Sequence, residues 1–334
     1  MSGAYLRFRG VRGSHAVPAA SHMGVGGNTS CVELRADDHL LICDAGTGII
    51  PLGEDLMGGG TPREALVLVT HYHWDHICGL PFFQPAFDPA WRLCFFGPGR
   101  DADEIRRRLS DQMRAPYFPV QTEHWMAGTR YHDPNDDGLR HGPFRIHYDH
   151  VHHPGATYGY RIEAAGKTIV YVSDNECGFL SRSIEDRAHE FPDAERDHLR
   201  RIESEERARE LALLAGADVL IHDAQYTPDQ YRQKRGWGHS CFVDTVHLAI
   251  DAGAKALYLY HHDPSASDGA LKRIHDEARA VIADRRSPLV CHLAREGLTV
   301  DLGSDSTGIK GSESIEVTKL TPTPLSPDQA PCRS

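Results

Sequence analysis

Residues 70–80 read Thr-His-Tyr-His-Trp-Asp-His-Ile-Cys-Gly-Leu, and they constrain the fold more than any other segment of this chain. They follow a short apolar run, which predicts a buried strand that delivers polar side chains to its carboxyl end. Side chains two residues apart on a strand share a face, so His71 and His73 point the same way if strand geometry continues. Asp75 and His76 must then lie on a turn that returns them to the same pocket.

The donor types in this cluster favour a bound transition metal. Imidazole and carboxylate together suit Zn²⁺, with Mn²⁺ or Fe as alternatives, whereas Ca²⁺ and Mg²⁺ prefer oxygen ligands alone. The other interpretation is a histidine-rich loop that binds nothing, and the spacing together with the preceding strand disfavours it. We therefore predict a metal site at the carboxyl end of this strand.

Composition indicates an ordinary globular protein. Hydrophobic residues make up 40% and charged residues 25% of the 334 residues, as in typical globular proteins, and we expect one folded domain over residues 1–302. Residues 303–334 are rich in Ser, Thr, Pro, Gly and Asp, and we predict that they form a disordered tail. No apolar run approaches the roughly 18 residues of a membrane span, and no signal-peptide core is evident, so we expect a cytoplasmic protein.

Charge and cysteine usage exclude some classes of partner and fold. The net charge of −11 disfavours a long polyanion such as duplex DNA or folded RNA, although a local basic patch could override that average. The eight cysteines are scattered without a Cys-Xaa-Xaa-Cys pair, so we predict reduced thiols. Two further segments stand out: an irregular stretch at 114–142, which could be a lid or a specificity insertion, and a charged helix at 184–210.

Three more predicted strands end in residues that bind metals or transfer protons. Asp174, Asp223 and His261 each follow a β-branched or apolar run, and His153 lies in a loop between strands. In layered α/β proteins, the strand ends on one side form the functional edge. We therefore expect these residues to join the cluster at residues 71–76 in one site.

Several motifs together resemble the metallo-β-lactamase fold superfamily of binuclear metallohydrolases, over residues 4–302. The similarity is greatest to the phosphodiesterase branch, which includes tRNase Z, the phosphoribosyl cyclic phosphodiesterase and cyclic-nucleotide phosphodiesterases. The motifs are Gly-Asn-Thr-Ser at 27–30, Asp-Ala-Gly-Thr-Gly at 44–48, the histidine cluster, Asp223, Gly-His-Ser at 238–240 and Leu-Tyr-Leu-Tyr-His at 257–261. The resemblance implies an α/β fold, namely a four-layer αββα sandwich, with two divalent metal ions at the strand edge.

The resemblance also implies which residues hold the ions. One ion would be held by His71, His73 and His153, the other by Asp75, His76 and His261, and Asp174 would bridge the two. His152 and His262 directly neighbour two of these ligands, so both remain open as alternatives in the sequence.

The chemistry of such a centre assigns roles to further residues. Two divalent ions lower the pKa of a bridging water, so that metal-bound hydroxide exists at neutral pH, and they neutralise charge on an attacked phosphoryl group. Asp75 could orient that hydroxide, and His239 is the candidate acid for the leaving alkoxide, with Asp223 as its orienting carboxylate. A turn histidine and a strand-end cap are the simpler interpretations of these last two residues. Asp44 is expected to fix a ligand histidine by a hydrogen bond.

We therefore expect a metal-dependent hydrolase that cleaves a small cyclic or nucleotide phosphodiester, because an alkoxide leaving group benefits most from a positioned acid. The alternatives are an RNA-processing endonuclease of the tRNase Z type and a lactone or ester metallohydrolase. A non-enzymatic metal-binding regulator is the least favoured. By analogy with the superfamily alone, the protein could form a homodimer.

Overall fold

Two β-sheets pack face to face at the centre of the fold, and helices cover the outer face of each sheet. This arrangement is the four-layer αββα sandwich that the family resemblance implies. The computed structural model describes residues 3–59, 63–134, 138–186, 189, 192–303 and 309–310.

The first sheet combines an antiparallel half with a parallel half. Its strands are β1 (Tyr5–Gly10), β2 (Cys31–Ala36), β3 (His39–Cys43), β4 (Glu64–Leu68), β5 (Arg92–Phe96), β6 (Gly128–Tyr131), β14 (Thr299–Asp301) and β15 (Ile309–Lys310). Their spatial order is β15-β14-β1-β2-β3-β4-β5-β6. The pairs from β15 to β3 are antiparallel, and those from β3 to β6 are parallel.

The second sheet is mixed in the same way. Its strands are β7 (Leu139–His141), β8 (Phe144–His150), β9 (Tyr158–Ala164), β10 (Lys167–Val172), β11 (Val219–Asp223), β12 (Ala256–Tyr260) and β13 (Val290–Leu293). Their order is β13-β12-β11-β10-β9-β8-β7. The pairs from β7 to β10 are antiparallel, and those from β10 to β13 are parallel.

Helices form the two outer layers. They are α1 (Ile49–Met57), α2 (Trp74–Ile77), α3 (Ala102–Asp111), α4 (Phe179–Asp186), α5 (Asp193–Leu214), α6 (Pro228–Gln233), α7 (Phe242–Asp251) and α8 (Asp268–Asp284). Helices α1 and α3 contact the first sheet, whereas α5, α7 and α8 contact the second. No helix among the described residues is both long enough and apolar enough to span a membrane.

Strand β4 contributes side chains to two hydrophobic cores, one on each face of its sheet. Leu66 and Leu68 lie in the core between the sheets, while Ala65 and Val67 lie in the core beneath α1 and α3. Successive side chains on a strand point to opposite faces, so a strand buried on both faces needs a continuous apolar run. That requirement explains the run that precedes residues 70–80.

The carboxyl ends of four strands meet at one edge of the sandwich. Strands β10, β11 and β12 are adjacent and parallel, and β4 of the facing sheet delivers residues 71–76 to the same edge. Asp174 follows β10 by two residues, Asp223 is the last residue of β11, and His261 follows β12 directly. The common edge predicted from the strand ends is therefore present.

The structure differs from the sequence prediction in several elements. Segment 114–142 was expected to be irregular, yet it contains β6 and β7, which are edge strands, and β6 has little buried surface to signal a strand. Helix α1 went unpredicted because Pro51 and Gly53 lower its helix propensity. The predicted charged helix at 184–210 corresponds to the end of α4 and to α5, which extends to the buried Leu214.

The cysteines and the carboxyl-terminal segment can be followed only in part. The seven cysteines within the described residues are free, and Cys332 lies outside them.

Ile309–Lys310 pairs with β14, which differs from the disorder predicted for these two positions. The rest of the predicted tail, apart from Gly303, lies outside the described residues.

Candidate metal centre

The histidine cluster lies where the chain leaves β4 and enters α2. His73 is the N-cap residue of α2, and Asp75 and His76 lie within this short helix, where the sequence predicted a turn. The ring of His71 lies 4.4 Å from that of His73 and 4.3 Å from that of His76, measured between centroids. A strand followed by one helical turn therefore brings all four predicted side chains to one place.

His153 completes the first group of donors. Its Nε2 lies 3.1 Å from Nδ1 of His73, and one donor atom each from His71, His73 and His153 lies within 4.8 Å of the others. Nδ1 of His153 donates to the carbonyl oxygen of Gly238 at 2.8 Å, which leaves the Nε2 lone pair facing the group. The neighbouring His152 instead stacks on Phe179, with ring centroids 4.4 Å apart. The geometry thus places His153, and not His152, at the cluster.

Asp75, His76 and His261 form a second group of donors. Nε2 of His76 lies 3.2 Å from Nε2 of His261, and Oδ2 of Asp75 lies 3.2 Å from each of these nitrogens. His261 adopts a left-handed backbone conformation, with φ +57°. The next residue, His262, directs its Nε2 to the carbonyl oxygen of Ala294 at 2.8 Å. His261 is therefore the member of this pair that faces the site.

Asp174 lies between the two groups. Its Oδ1 is 3.0 Å from Nε2 of His76 and 3.4 Å from Nε2 of His261, and its Oδ2 is 3.7 Å from Nε2 of both His71 and His153. Burial acts to raise the pKa of Asp174, but the imidazoles of His261, His76 and His71 outweigh burial and hold the pKa well below its usual range. The carboxylate is therefore ionised where the two groups meet.

The donor set fits a cation. Nδ1 of His76 donates to Asp44 at 2.8 Å, so its Nε2 faces Asp75 and Asp174. Nε2 of His71 and Oδ1 of Asp174 are buried without a hydrogen-bond partner in the described part of the chain. A buried polar atom left unpaired costs about 1–3 kcal/mol, so convergence of several such atoms is unfavourable without a positive charge between them. Imidazole nitrogens and carboxylate oxygens are the donors that Zn²⁺ prefers.

Electrostatics at His76 support the same conclusion. Burial acts to lower the pKa of His76, but the carboxylates of Asp174, Asp75 and Asp44 outweigh burial and hold the pKa well above its usual range. A positive charge is therefore stabilised at this point in the site. A divalent ion would supply that charge to all the surrounding donors at once.

Asp44 makes the contact predicted for it. It follows β3 with φ +60°, and it is fully buried. Its carboxylate accepts hydrogen bonds from the amide of Thr70 at 2.8 Å, the hydroxyl of Tyr171 at 2.8 Å and Nδ1 of His76. These bonds fix the ring of His76 and connect it to both sheets.

The predicted acid and its carboxylate are directly bonded. Nδ1 of His239 donates to Oδ2 of Asp223 at 2.8 Å and lies 3.8 Å from Oδ2 of Asp174. Burial acts to lower the pKa of His239, but Asp223 outweighs burial and raises the pKa. Asp223 also accepts hydrogen bonds from the amides of Asn175 and Gln225, so it orders two turns in addition to the imidazole.

The amino-terminal loop contributes contacts that side-chain patterns did not reveal. The amide of Ser14, a residue with φ +61°, donates to Oδ2 of Asp75 at 2.7 Å. A Cβ on Gly13 would lie 2.5 Å from the imidazole of His261. A backbone donor has no residue signature, so only the glycine-rich character of residues 13–27 hinted at this approach.

Gly13 offers a steric test of the second donor group. We expect Gly13→Ala to displace the ring of His261 and to weaken metal retention, and a misplacement of about 1 Å can lower activity about a hundred-fold. Metal content after dialysis measures the effect. Gly269→Ala is the matched control, because a Cβ at Gly269 meets nothing within 4 Å. Equal metal content in the two variants would contradict the prediction.

Comparisons with known proteins agree with the fold. Residues 40–193 match the family model described as a beta-lactamase superfamily domain. Ribonuclease Z of Lacticaseibacillus casei (strain BL23) is 27% identical over 268 residues, which cover 70% of this chain and 79% of that protein.

Two solved structures have a similar architecture. The metallo-beta-lactamase fold protein YhfI of Bacillus subtilis is 21% identical with a TM-score of 0.59, and the match covers 89% of this chain and 99% of that one. A diphosphatase from the PhnP family is 19% identical with a TM-score of 0.56, over 89% of this chain and 97% of that one. The αββα architecture predicted from the sequence is thereby confirmed.

Proposed function

We propose that this metal-dependent hydrolase, which has the metallo-β-lactamase fold, cleaves a small cyclic or nucleotide phosphodiester. The observation that carries the proposal is the hydrogen bond from His239 to Asp223. The same ring nitrogen of His239, Nδ1, lies 3.8 Å from Oδ2 of Asp174 among the metal donors. A metal-donor cluster alone would suit many hydrolases. A positioned acid beside it favours a reaction with a poor leaving group, such as the alkoxide of a phosphodiester.

Two divalent ions fit the donor set, with Zn²⁺ as our first choice over Mn²⁺ or Fe. His71, His73 and His153 would hold one ion, Asp75, His76 and His261 the other, and Asp174 would contact both. When bound, such ions supply a water of lowered pKa and neutralise charge on the phosphoryl group.

The remaining residues orient donors and move one proton. Asp44 fixes His76, and the carbonyl oxygen of Gly238 fixes His153, so that each imidazole presents Nε2 to the site. Asp223 holds Nδ1 of His239, which leaves Nε2 as the atom that donates a proton to the leaving alkoxide. General acids of this kind contribute about 10²- to 10⁴-fold to rate.

The names of two similar proteins support hydrolysis at a phosphoryl group, since one is a ribonuclease and the other a diphosphatase. The net charge of −11 supports a small substrate, because long polyanions need a broad positive surface. The preference for a small phosphodiester combines these two arguments.

A chelation experiment tests the proposal. We expect the purified protein to hydrolyse bis(p-nitrophenyl) phosphate and cyclic nucleotides, to lose turnover after dialysis against a chelator and to regain it with Zn²⁺ or Mn²⁺. A β-lactam and an acyl-homoserine lactone serve as comparison substrates. Absence of chelator-sensitive turnover on every phosphodiester would reject the proposed function.

An RNA-processing endonuclease is the second candidate, and the similarity to Ribonuclease Z favours it. This alternative predicts cleavage of a tRNA precursor together with tight, salt-sensitive RNA binding. Turnover of cyclic nucleotides without cleavage of the precursor would favour the small substrate.

A further inference from the structure

We propose that Trp237 and Lys234 form a subsite for a nucleobase and a phosphate beside His239, so that the substrate is a phosphodiester that carries a base. This inference rests on the phosphodiesterase function proposed above and narrows its substrate class. A sugar phosphate without a base would use only part of this subsite.

Trp237 is presented on a tight turn at the edge of the metal centre. Its side chain is 62% exposed, although the next two residues, Gly238 and His239, are buried in the site. Gly236 and Gly238 on either side have φ +80° and +86°, a conformation that side chains rarely adopt. The turn therefore holds an exposed indole two residues from the proposed acid.

A buried carboxylate makes this turn rigid. Glu176 is 1% exposed and accepts hydrogen bonds from the amides of Gly236 at 2.9 Å and Gly238 at 2.8 Å, and from the hydroxyl of Tyr231 at 2.9 Å. A buried carboxylate is tolerated only when it is hydrogen-bonded in this way. Because Trp237 is mostly exposed, a rigid turn that presents it makes most sense if a ligand packs on it.

Lys234 contacts both the exposed indole and a tyrosine that packs against the proposed acid. The ring centroid of Tyr226 is 5.8 Å from that of His239, and Nζ of Lys234 lies 4.5 Å from the Tyr226 centroid and 5.9 Å from the Trp237 centroid. Asp263 holds this ammonium at 3.2 Å. The four side chains form a continuous series from the proposed acid to the exposed indole.

Trp237 and Lys234 suit the base and the phosphate of a nucleotide. An exposed indole offers a face on which any base can stack, whatever its sequence identity. A lysine ammonium is a compact positive charge suited to a phosphate oxygen. Tyr226 is 2% exposed and packs against Lys234 and His239 instead. Of these two aromatic residues, Trp237 is therefore the one available to a base.

Two chromogenic esters test the subsite in the metal-loaded enzyme. Thymidine 5′-(p-nitrophenyl phosphate) carries a base, and methyl p-nitrophenyl phosphate lacks one, with the same leaving group. We expect Trp237→Ala to lower the ratio of kcat/KM for the thymidine ester to that for the methyl ester about ten-fold, through KM. Trp237→Phe should retain most of the ratio, because a smaller ring still stacks. Val290→Ala is the control, since Val290 is a 49% exposed apolar residue at the amino-terminal end of β13, opposite the strand ends that carry the site.

Fluorescence provides a readout that does not depend on turnover. Adenosine 5′-monophosphate should quench tryptophan emission of the wild type more than inorganic phosphate does, and Trp237→Phe should remove that difference. An unchanged substrate ratio in Trp237→Ala, or equal quenching by the two ligands, would overturn the inference while leaving phosphodiesterase activity intact. If neither ester is hydrolysed, the proposed function fails, and the quenching experiment still decides whether the subsite binds a base.

Discussion

Asp174→Ala is expected to reduce phosphodiester hydrolysis by about a thousand-fold or more, because ions that stabilise charge on a phosphoryl group contribute several kcal/mol. The carboxylate approaches both donor groups, with one oxygen 3.0 Å from His76 and 3.4 Å from His261, and the other 3.7 Å from His71 and from His153. Its removal therefore weakens both predicted ion positions at once.

Metal analysis after dialysis provides the direct measurement. We expect fewer than two ions per chain in Asp174→Ala, with a smaller loss in Asp174→Asn, which keeps one oxygen and the shape of the side chain. Asp276→Asn on the exposed side of α8 is the control for loss of a carboxylate, since 54% of its side chain is exposed. If Asp174→Ala retained two ions and a normal rate, the assignment of the centre would be wrong.

His239→Ala is expected to lower kcat by about 10²- to 10⁴-fold while metal content stays unchanged. Nδ1 of His239 is held by Asp223 at 2.8 Å, so the other ring nitrogen is the one that can protonate a leaving group. The effect should be larger for cyclic nucleotides than for bis(p-nitrophenyl) phosphate. An alkoxide leaves only with a proton, whereas p-nitrophenolate is already a stable anion.

The dependence of the rate on the leaving group tests whether His239 is a general acid or a metal ligand. A donor atom of His239 also lies within 4.8 Å of donor atoms of His153 and Asp174, an arrangement that could hold a metal. If His239→Ala loses an ion and slows both substrates equally, His239 is a ligand and the proposed role is wrong. Asp223→Asn, which weakens the support of the imidazole, should show the same dependence on leaving group with a smaller loss of rate.

Much of the fold could be predicted from local patterns. The apolar run before residues 70–80 and the four strand ends with polar residues indicated one functional edge, and the family resemblance implied the αββα layers; both are present. Sequence patterns did not predict elements that bury little surface or whose residues have low helix propensity. Strand β6 is largely exposed, and α1 contains Pro51 and Gly53, so neither element carried a strong signal.

The candidate site, too, could be predicted from the sequence only in part. The spacing of His71, His73, Asp75 and His76 sets a local geometry, so the sequence alone indicated that these side chains converge. The choice between His152 and His153 could not be made from spacing, because adjacent residues differ only in the direction that their side chains take. Tertiary packing decided it: His153 lies 3.1 Å from His73 across 80 residues of chain, and His152 stacks on Phe179.

Contacts between distant segments were decided by the packing of the two sheets alone. Asp75 and His261 are 186 positions apart, yet they meet at 3.2 Å because β4 and β12 end at the same edge. Asp75 accepts a hydrogen bond from the backbone amide of Ser14, and Glu176 accepts hydrogen bonds from those of Gly236 and Gly238. Every residue except proline has such an amide. The sequence by itself determined which donor types this protein carries and where four of them converge. Only the tertiary structure decided between adjacent candidates such as His152 and His153 and supplied the backbone donors, because side-chain direction and backbone hydrogen bonds leave no residue-specific pattern in the chain.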